Sequence, residues 1–120
     1  MRFMLMIYDN PDTRDLVTRP EGRDLMAEVD AVMARLTESG ELVGGEALAD
    51  PSNTRTIRPV DGVPAITDGP LAEAKEHFGG YLLLECESID RAAQIAARWP
   101  SARFTPLEVR PVMSPDGAEM

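Results

Sequence analysis

The chain opens on Phe3-Met4-Leu5-Met6-Ile7-Tyr8, apolar at every position rather than at every second one, and the run ends at Asp9-Asn10-Pro11. Such a pattern predicts a central strand covered on both faces. Asp9 to Pro20 is polar, holds two prolines and shows no clear period, so it reads as a loop. From Glu21 the apolar positions Leu25, Met26, Val29, Val32, Met33 and Leu36 recur at helical spacing, and Gly40 stands where a helix stop belongs. The helix so predicted has about 17 residues and a length of roughly 25 Å. Glu41-Leu42-Val43 starts a second strand, loosened by Gly44-Gly45. Thr54 to Val60 and Val63 to Thr67 flank Asp61-Gly62, a strong hairpin signal. Pro59 and Pro64 limit their pairing and put the hairpin at a sheet edge or outside the main sheet. Tyr81 to Glu87 reads as a buried strand, Ser88 as an N-cap, and Ile89 to Trp99 as a helix stopped by Pro100, with Ile89, Ala92, Ala93, Ala96 and Trp99 on one face. Leu107 and Val109 alternate with Glu108 and Arg110 in a final strand.

With the hairpin set aside, the order is β-α-β-β-α-β, the split arrangement of a ferredoxin-like antiparallel sheet with two helices on one face. The two doubly apolar strands then leave one sheet face in need of cover, and a second copy of the same face is the simplest cover. The predicted fold class is therefore α+β, a ferredoxin-like sheet with an inserted hairpin, forming a dimeric α+β barrel. Residues 1–113 form the single expected domain, and 114–120 a loose tail.

At 120 residues the chain is long enough for one unaided core, and a hydrophobic fraction of 43% excludes a wholly disordered chain. Twelve basic residues against 21 acidic ones, a net charge of −9, argue against nucleic acid and against anionic membrane surfaces. No apolar run approaches the roughly 20 residues of a membrane span. The apolar start is too short for a signal peptide, so a cytoplasmic location is expected. The lone Cys86, inside an apolar strand, reads as a buried structural thiol.

The chemistry concentrates in Thr67-Asp68-Gly69-Pro70-Leu71-Ala72-Glu73-Ala74-Lys75-Glu76-His77-Phe78-Gly79-Gly80-Tyr81. Asp68-Gly69-Pro70 makes a turn. Pro70 either opens a short helix closed by Gly79, with Glu73 and His77 four apart on one face, or starts an extended loop. His77 is the only histidine, suited to proton transfer near neutral pH, with Asp68, Glu73, Glu76 and Tyr81 as nearby partners. The candidate catalytic residues are His77, Asp68 and Glu73; the candidate ligand-binding residues are Tyr81, Lys75, Glu76 and Arg110. Each has a bland alternative: His77 a rim residue, Asp68 a bond to its own turn, the charged run a solvated face. One histidine and one cysteine give no zinc spacing, and no nucleotide loop or nucleophile elbow is present, so no metal or cofactor is expected.

These residues, with Thr56-Ile57-Arg58, Asp61-Gly62 and Glu108-Val109-Arg110-Pro111, resemble the YCII-related family, in particular its DGPF-domain branch, over nearly the whole chain. The resemblance implies the dimeric barrel and a small organic ligand. It also implies, at most, a regulatory neighbourhood shared with sigma factors. Three departures stand out, one being His77, which stands where relatives often carry an uncharged polar residue. Leu71 replaces the aromatic of the DGPF motif. The histidine of the first helix and the aspartate after the second, suspected as a catalytic pair in short YCII proteins, are both missing, the latter from Arg98-Trp99-Pro100. The sequence therefore favours a dimeric small-molecule-binding or regulatory module. The alternatives are a small cofactor-independent acid–base enzyme and an interaction domain that uses the hairpin around Asp61-Gly62.

Overall fold

The computed structural model describes residues 1–71 and 75–119. Strand β1 (Arg2–Asp9) is the centre of the sheet. It lies between β5 (His77–Glu85) and β6 (Leu107–Pro111), with β2 (Leu42–Ala47) beyond β5. The order β2-β5-β1-β6 is antiparallel throughout and ferredoxin-like.

Register decides which side chains meet. Phe3 pairs with Leu84 and Leu5 with Leu82, which puts all four on one face. Helices α2 (Gly22–Ser39) and α3 (Ile89–Ala97) cover that face with Val32, Leu36, Ala92, Ile95 and Ala96. Phe3, Leu5 and Leu84 are fully buried, and each such side chain stabilises the fold by about 1.5–3 kcal/mol. Gly40 ends α2 at φ +79°, its N–H donating to the Leu36 and Thr37 carbonyls. Ser88 caps α3 by accepting from the Arg91 N–H. The buried stripe of α3 is Ala92, Ile95 and Ala96, continued by Trp99, so Ile89 and Ala93 of the predicted stripe face solvent. Ala93 falls to the side of that stripe, whereas Ile89 keeps the helical spacing and is exposed because it opens the helix.

Two local expectations need correction. Asp9 to Pro20 is not a loop throughout, because Pro11–Val17 forms a helix, α1. Asn10 caps it, its side chain accepting from the Thr13 N–H at 2.9 Å, and Pro11 takes the first turn, where no N–H is needed. A Cβ on Gly22 would fall 2.5 Å from the Leu16 carbonyl, so glycine lets α1 sit against the start of α2. Gly79 and Gly80 do not close a helix; both lie inside β5. A Cβ on Gly80 would lie 2.7 Å from the Glu46 carbonyl oxygen, a close approach of neighbouring strands that only glycine tolerates.

The hairpin is present as β3 (Arg55–Val60) and β4 (Val63–Asp68), a separate two-stranded sheet. Asp61 and Gly62 both have positive φ, 50° and 80°, as a tight turn between twisted strands requires. After β6 the chain folds back, with Met113 bridged to Glu119. Among the described residues no helix is long and apolar enough to cross a membrane.

The second face of the sheet carries Met4, Met6 and Tyr8 beside Leu83, Tyr81 and Phe78. Phe78 packs edge-on to Tyr8 at 5.9 Å and stacks on Tyr81 at 6.4 Å. Glu108 and Arg110 of β6 flank this patch, and Tyr8 donates to the Glu108 carboxylate, which pushes the phenol pKa up.

Candidate functional site

A cavity of about 460 Å³ opens where α1 and α2 meet one end of the sheet. Its wall is the α2 face Leu25, Met26, Val29 and Met33, the same helical stripe legible in the sequence. Its floor is Ile7, Leu82 and the backbone of Gly45 and Gly80. Trp99 and Ser101 close the far end, on the segment that follows α3.

The mouth is polar and held by one arginine. Arg14 on α1 donates to Asp9 at the end of β1, 2.7 Å, and its Nε lies 3.4 Å from the Asp50 carboxylate. Asp50 accepts from the Ser52 N–H, and this bond, then Arg14 and His77, holds its carboxyl below the usual range. A Cβ on Gly79 would lie 2.5 Å from Asp9 Oδ2, so glycine there gives Asp9 the space to turn toward Arg14. Inside, the polar atom that stands out is Ser101 Oγ. The residue is 9% exposed, and among the described residues this oxygen has no hydrogen-bond partner.

The residues singled out from sequence are dispersed. His77 is half-buried at the start of β5, directly opposite Asp9 in register, and lines a separate cavity of about 390 Å³ with Asp50, Asn53 and Leu71. Asp68 ends β4 with a side chain 86% exposed, ion-paired to Arg55 at 2.5 Å, and lines neither cavity. Glu73 lies outside the described residues. Lys75 is exposed and Glu76 half-buried. Tyr81 contributes to the larger cavity, while Arg110 is exposed on the sheet's second face, opposite Met4. The structure therefore gives His77 Asp9 as its cross-strand neighbour, not Asp68. Asp9, Arg14 and Ser101 were not legible as a group, since each stands on a different element with no shared spacing.

One further polar cluster is structural. Glu41, leading into β2, accepts from Arg91 of α3 through both Nε and Nη2, at 2.8 and 2.9 Å. Arg91 and then the Ser39 hydroxyl bring the Glu41 pKa down to about 2, against the opposing cost of burial. Burial first, then this carboxylate, pushes the neighbouring Cys86 thiol up, so it is a buried, protonated thiol at neutral pH.

The YCII-related domain matches residues 1–115. The chain belongs to the YCII-related family. An uncharacterized protein of Rhizobium meliloti (strain 1021) is 28% identical over 114 residues, 93% of this chain and 92% of that one. Among solved structures, the chain resembles 5-chloro-2-hydroxyhydroquinone dehydrochlorinase from Burkholderia phenoliruptrix, in complex with 2,5-dihydroxybenzoquinone. The TM-score is 0.56 at 18% identity, covering 98% of this chain and 99% of that chain. At that identity the likeness concerns the fold.

Proposed function

We propose that this YCII-related protein is a dimeric binding module for a small, uncharged, ring-sized organic molecule carrying at least one hydroxyl or carbonyl oxygen. The observation that carries this reading is Ser101 Oγ, buried without a partner among the described residues at the far end of a cavity whose α2 wall and floor are apolar and whose charges lie elsewhere on its lining. A buried hydroxyl left unpaired costs about 1–3 kcal/mol, and a rotation of the Ser101 side chain toward the cavity would let a ligand oxygen remove that cost. Size agrees, since about 460 Å³ falls in the usual range for small-molecule sites. Charge narrows the class: Asp9, Asp30 and Glu46 line the cavity and Asp50 adjoins it, against Arg14 as the cation, which disfavours an anion. The dehydrochlorinase of similar fold holds 2,5-dihydroxybenzoquinone, which agrees with this class in ring size and oxygen substituents but not in charge, since its hydroxyls are vinylogous acids.

The dimer follows from the second sheet face. Met4, Met6, Leu83 and the Tyr8–Phe78–Tyr81 cluster form an apolar patch on the side away from the helices, and a second copy stacked on it completes an α+β barrel. The alternative reading is an enzyme, and one observation favours it: His77, opposite Asp9 in register, lines the separate cavity of about 390 Å³ together with Asp50, whose carboxyl it helps to hold below the usual range.

Phenol and toluene, equal in shape and different in one hydroxyl, test the site. Titrations followed by amide NMR shifts are expected to move Trp99, Ser101 and α2 resonances, with phenol bound about 5-fold tighter, a factor equal to one hydrogen bond of roughly 1 kcal/mol. In Ser101→Ala the preference is expected to vanish while toluene affinity stays. If neither compound shifts the cavity resonances, the cavity reading fails. A phenol preference that survives in Ser101→Ala removes Ser101 from it. For the enzyme reading, a turnover that His77→Ala leaves untouched at every pH would remove His77.

A further inference from the structure

The sheet and helices account for the core, but not for the β3–β4 hairpin. Its strands pack chiefly on each other, and a two-stranded ribbon alone is marginal in water. Ile57 and Ile66, directly opposite one another, are 60% and 73% exposed, and Val60 and Val63, paired at the tip, are 55% and 64% exposed. By strand alternation Ile57 and Ile66 share a face with Pro59 and Pro64, while Val60 and Val63 point to the other. The first face is apolar through Ile57, Ile66, Pro59 and Pro64, while the second is mixed, with Val60, Val63 and Ala65 beside Thr56, Arg58 and Thr67. It also enlarges the molecule: the radius of gyration is 16.3 Å, against about 14 Å for a compact chain of this length.

Three features choose the occupant. The facing pair Pro59 and Pro64 offers no N–H, so the ribbon's edges are poor templates for an added strand, and its apolar face is the docking surface. The ribbon carries no net charge: Arg55 and Arg58 balance Asp61 and Asp68, with Arg55 paired to Asp68. In a chain of net charge −9 this is a surface on which two copies meet without repulsion. Area points the same way. Ile57 and Ile66, on one face, offer roughly 250 Å² per copy, about a third of the roughly 800 Å² per partner that a stable dimer buries, and the second sheet face supplies the rest.

We propose that the β3–β4 hairpin is a clasp that lies on a second copy of this chain, each arm closing over the other subunit. The proposal rests on the dimer inferred above and adds the surface that holds it. The test is sedimentation velocity over a dilution series, with the full chain and the double variant Ile57→Asp/Ile66→Asp. The wild-type protein is expected to be a dimer, and the variant to dissociate at protein concentrations at least 100-fold higher, with an unchanged far-UV circular dichroism spectrum. A variant as dimeric as the wild type overturns the clasp and leaves the dimer standing. A wild-type monomer overturns both. Amide exchange on the wild type decides independently of any variant. Protection of Thr56 to Ile66 that falls on dilution below the dissociation constant supports the clasp, and protection indifferent to dilution overturns it.

Discussion

Glu41→Gln isolates the half-buried pair that ties the entry of β2 to α3. The Glu41 side chain is 17% exposed and accepts two bonds from Arg91, whose side chain is 35% exposed. A carboxyl whose pKa falls from 4.5 to about 2 on folding, chiefly through Arg91, gains about 3 kcal/mol if the whole shift counts. Because the guanidinium is one-third exposed, water screens the pair, and about 1–2 kcal/mol is the expected loss at pH 7. The pH dependence has a definite sign. Folded Glu41 stays charged down to about pH 2, whereas the unfolded chain takes up the proton near the ordinary 4.5. The stabilisation is complete above about pH 5 and fades as the pH falls from about 4.5 to about 2. Urea unfolding of wild type and Glu41→Gln at pH 7 and at pH 3 is the assay, and the gap at pH 3 is expected to be less than half of that at pH 7. An equal gap at both values, or no gap at pH 7, would refute the reasoning.

The neighbouring glycines of β5 should respond differently to one methyl group. Gly80→Ala drives a Cβ to 2.7 Å from the Glu46 backbone oxygen and is expected to cost more than about 2 kcal/mol in urea unfolding. Gly79→Ala meets the mobile end of Asp9 instead, so it is expected to cost less than about 1 kcal/mol, and its signature is an altered Arg14 side-chain resonance. Asn10→Ala removes the cap that receives the Thr13 N–H, and about 1 kcal/mol of lost protection confined to α1 should appear in amide exchange, with little change in global unfolding.

What the sequence disclosed is what local rules write into it. The all-apolar β1, the periodic α2 with Gly40 at its end, the Asp61-Gly62 turn and the Ser88 cap of α3 are each specified by residues near one another in the chain. The departures have tertiary or competing local causes. Asn10-Pro11 is a helix start as well as a turn signal, and α1 is held in place by Arg14 reaching Asp9 and Asp50. Gly79-Gly80 has the form of a helix stop, and only the approach of β2 and of Asp9 explains glycine within a strand. The cavity draws on residues from positions 7 to 101, so no single spacing announces it. The motif around His77 attracted attention through its density of charge, yet its described members point in different directions, because strand alternation and the departure of the hairpin separate them.

Gly45 and Gly80 give the cavity a floor of bare peptide. Both are hemmed in by backbone, with would-be Cβ atoms 2.4 Å from the Tyr81 oxygen and 2.7 Å from the Glu46 oxygen. Side chains therefore cannot be traded there without disturbing the strands. Substitution without that disturbance is left to the α2 wall at Met26, Val29 and Met33 and to the far end at Trp99 and Ser101. A lineage can exchange one ligand for another by rewriting one helix face and one short turn, with the pleated half of the cavity inherited unchanged.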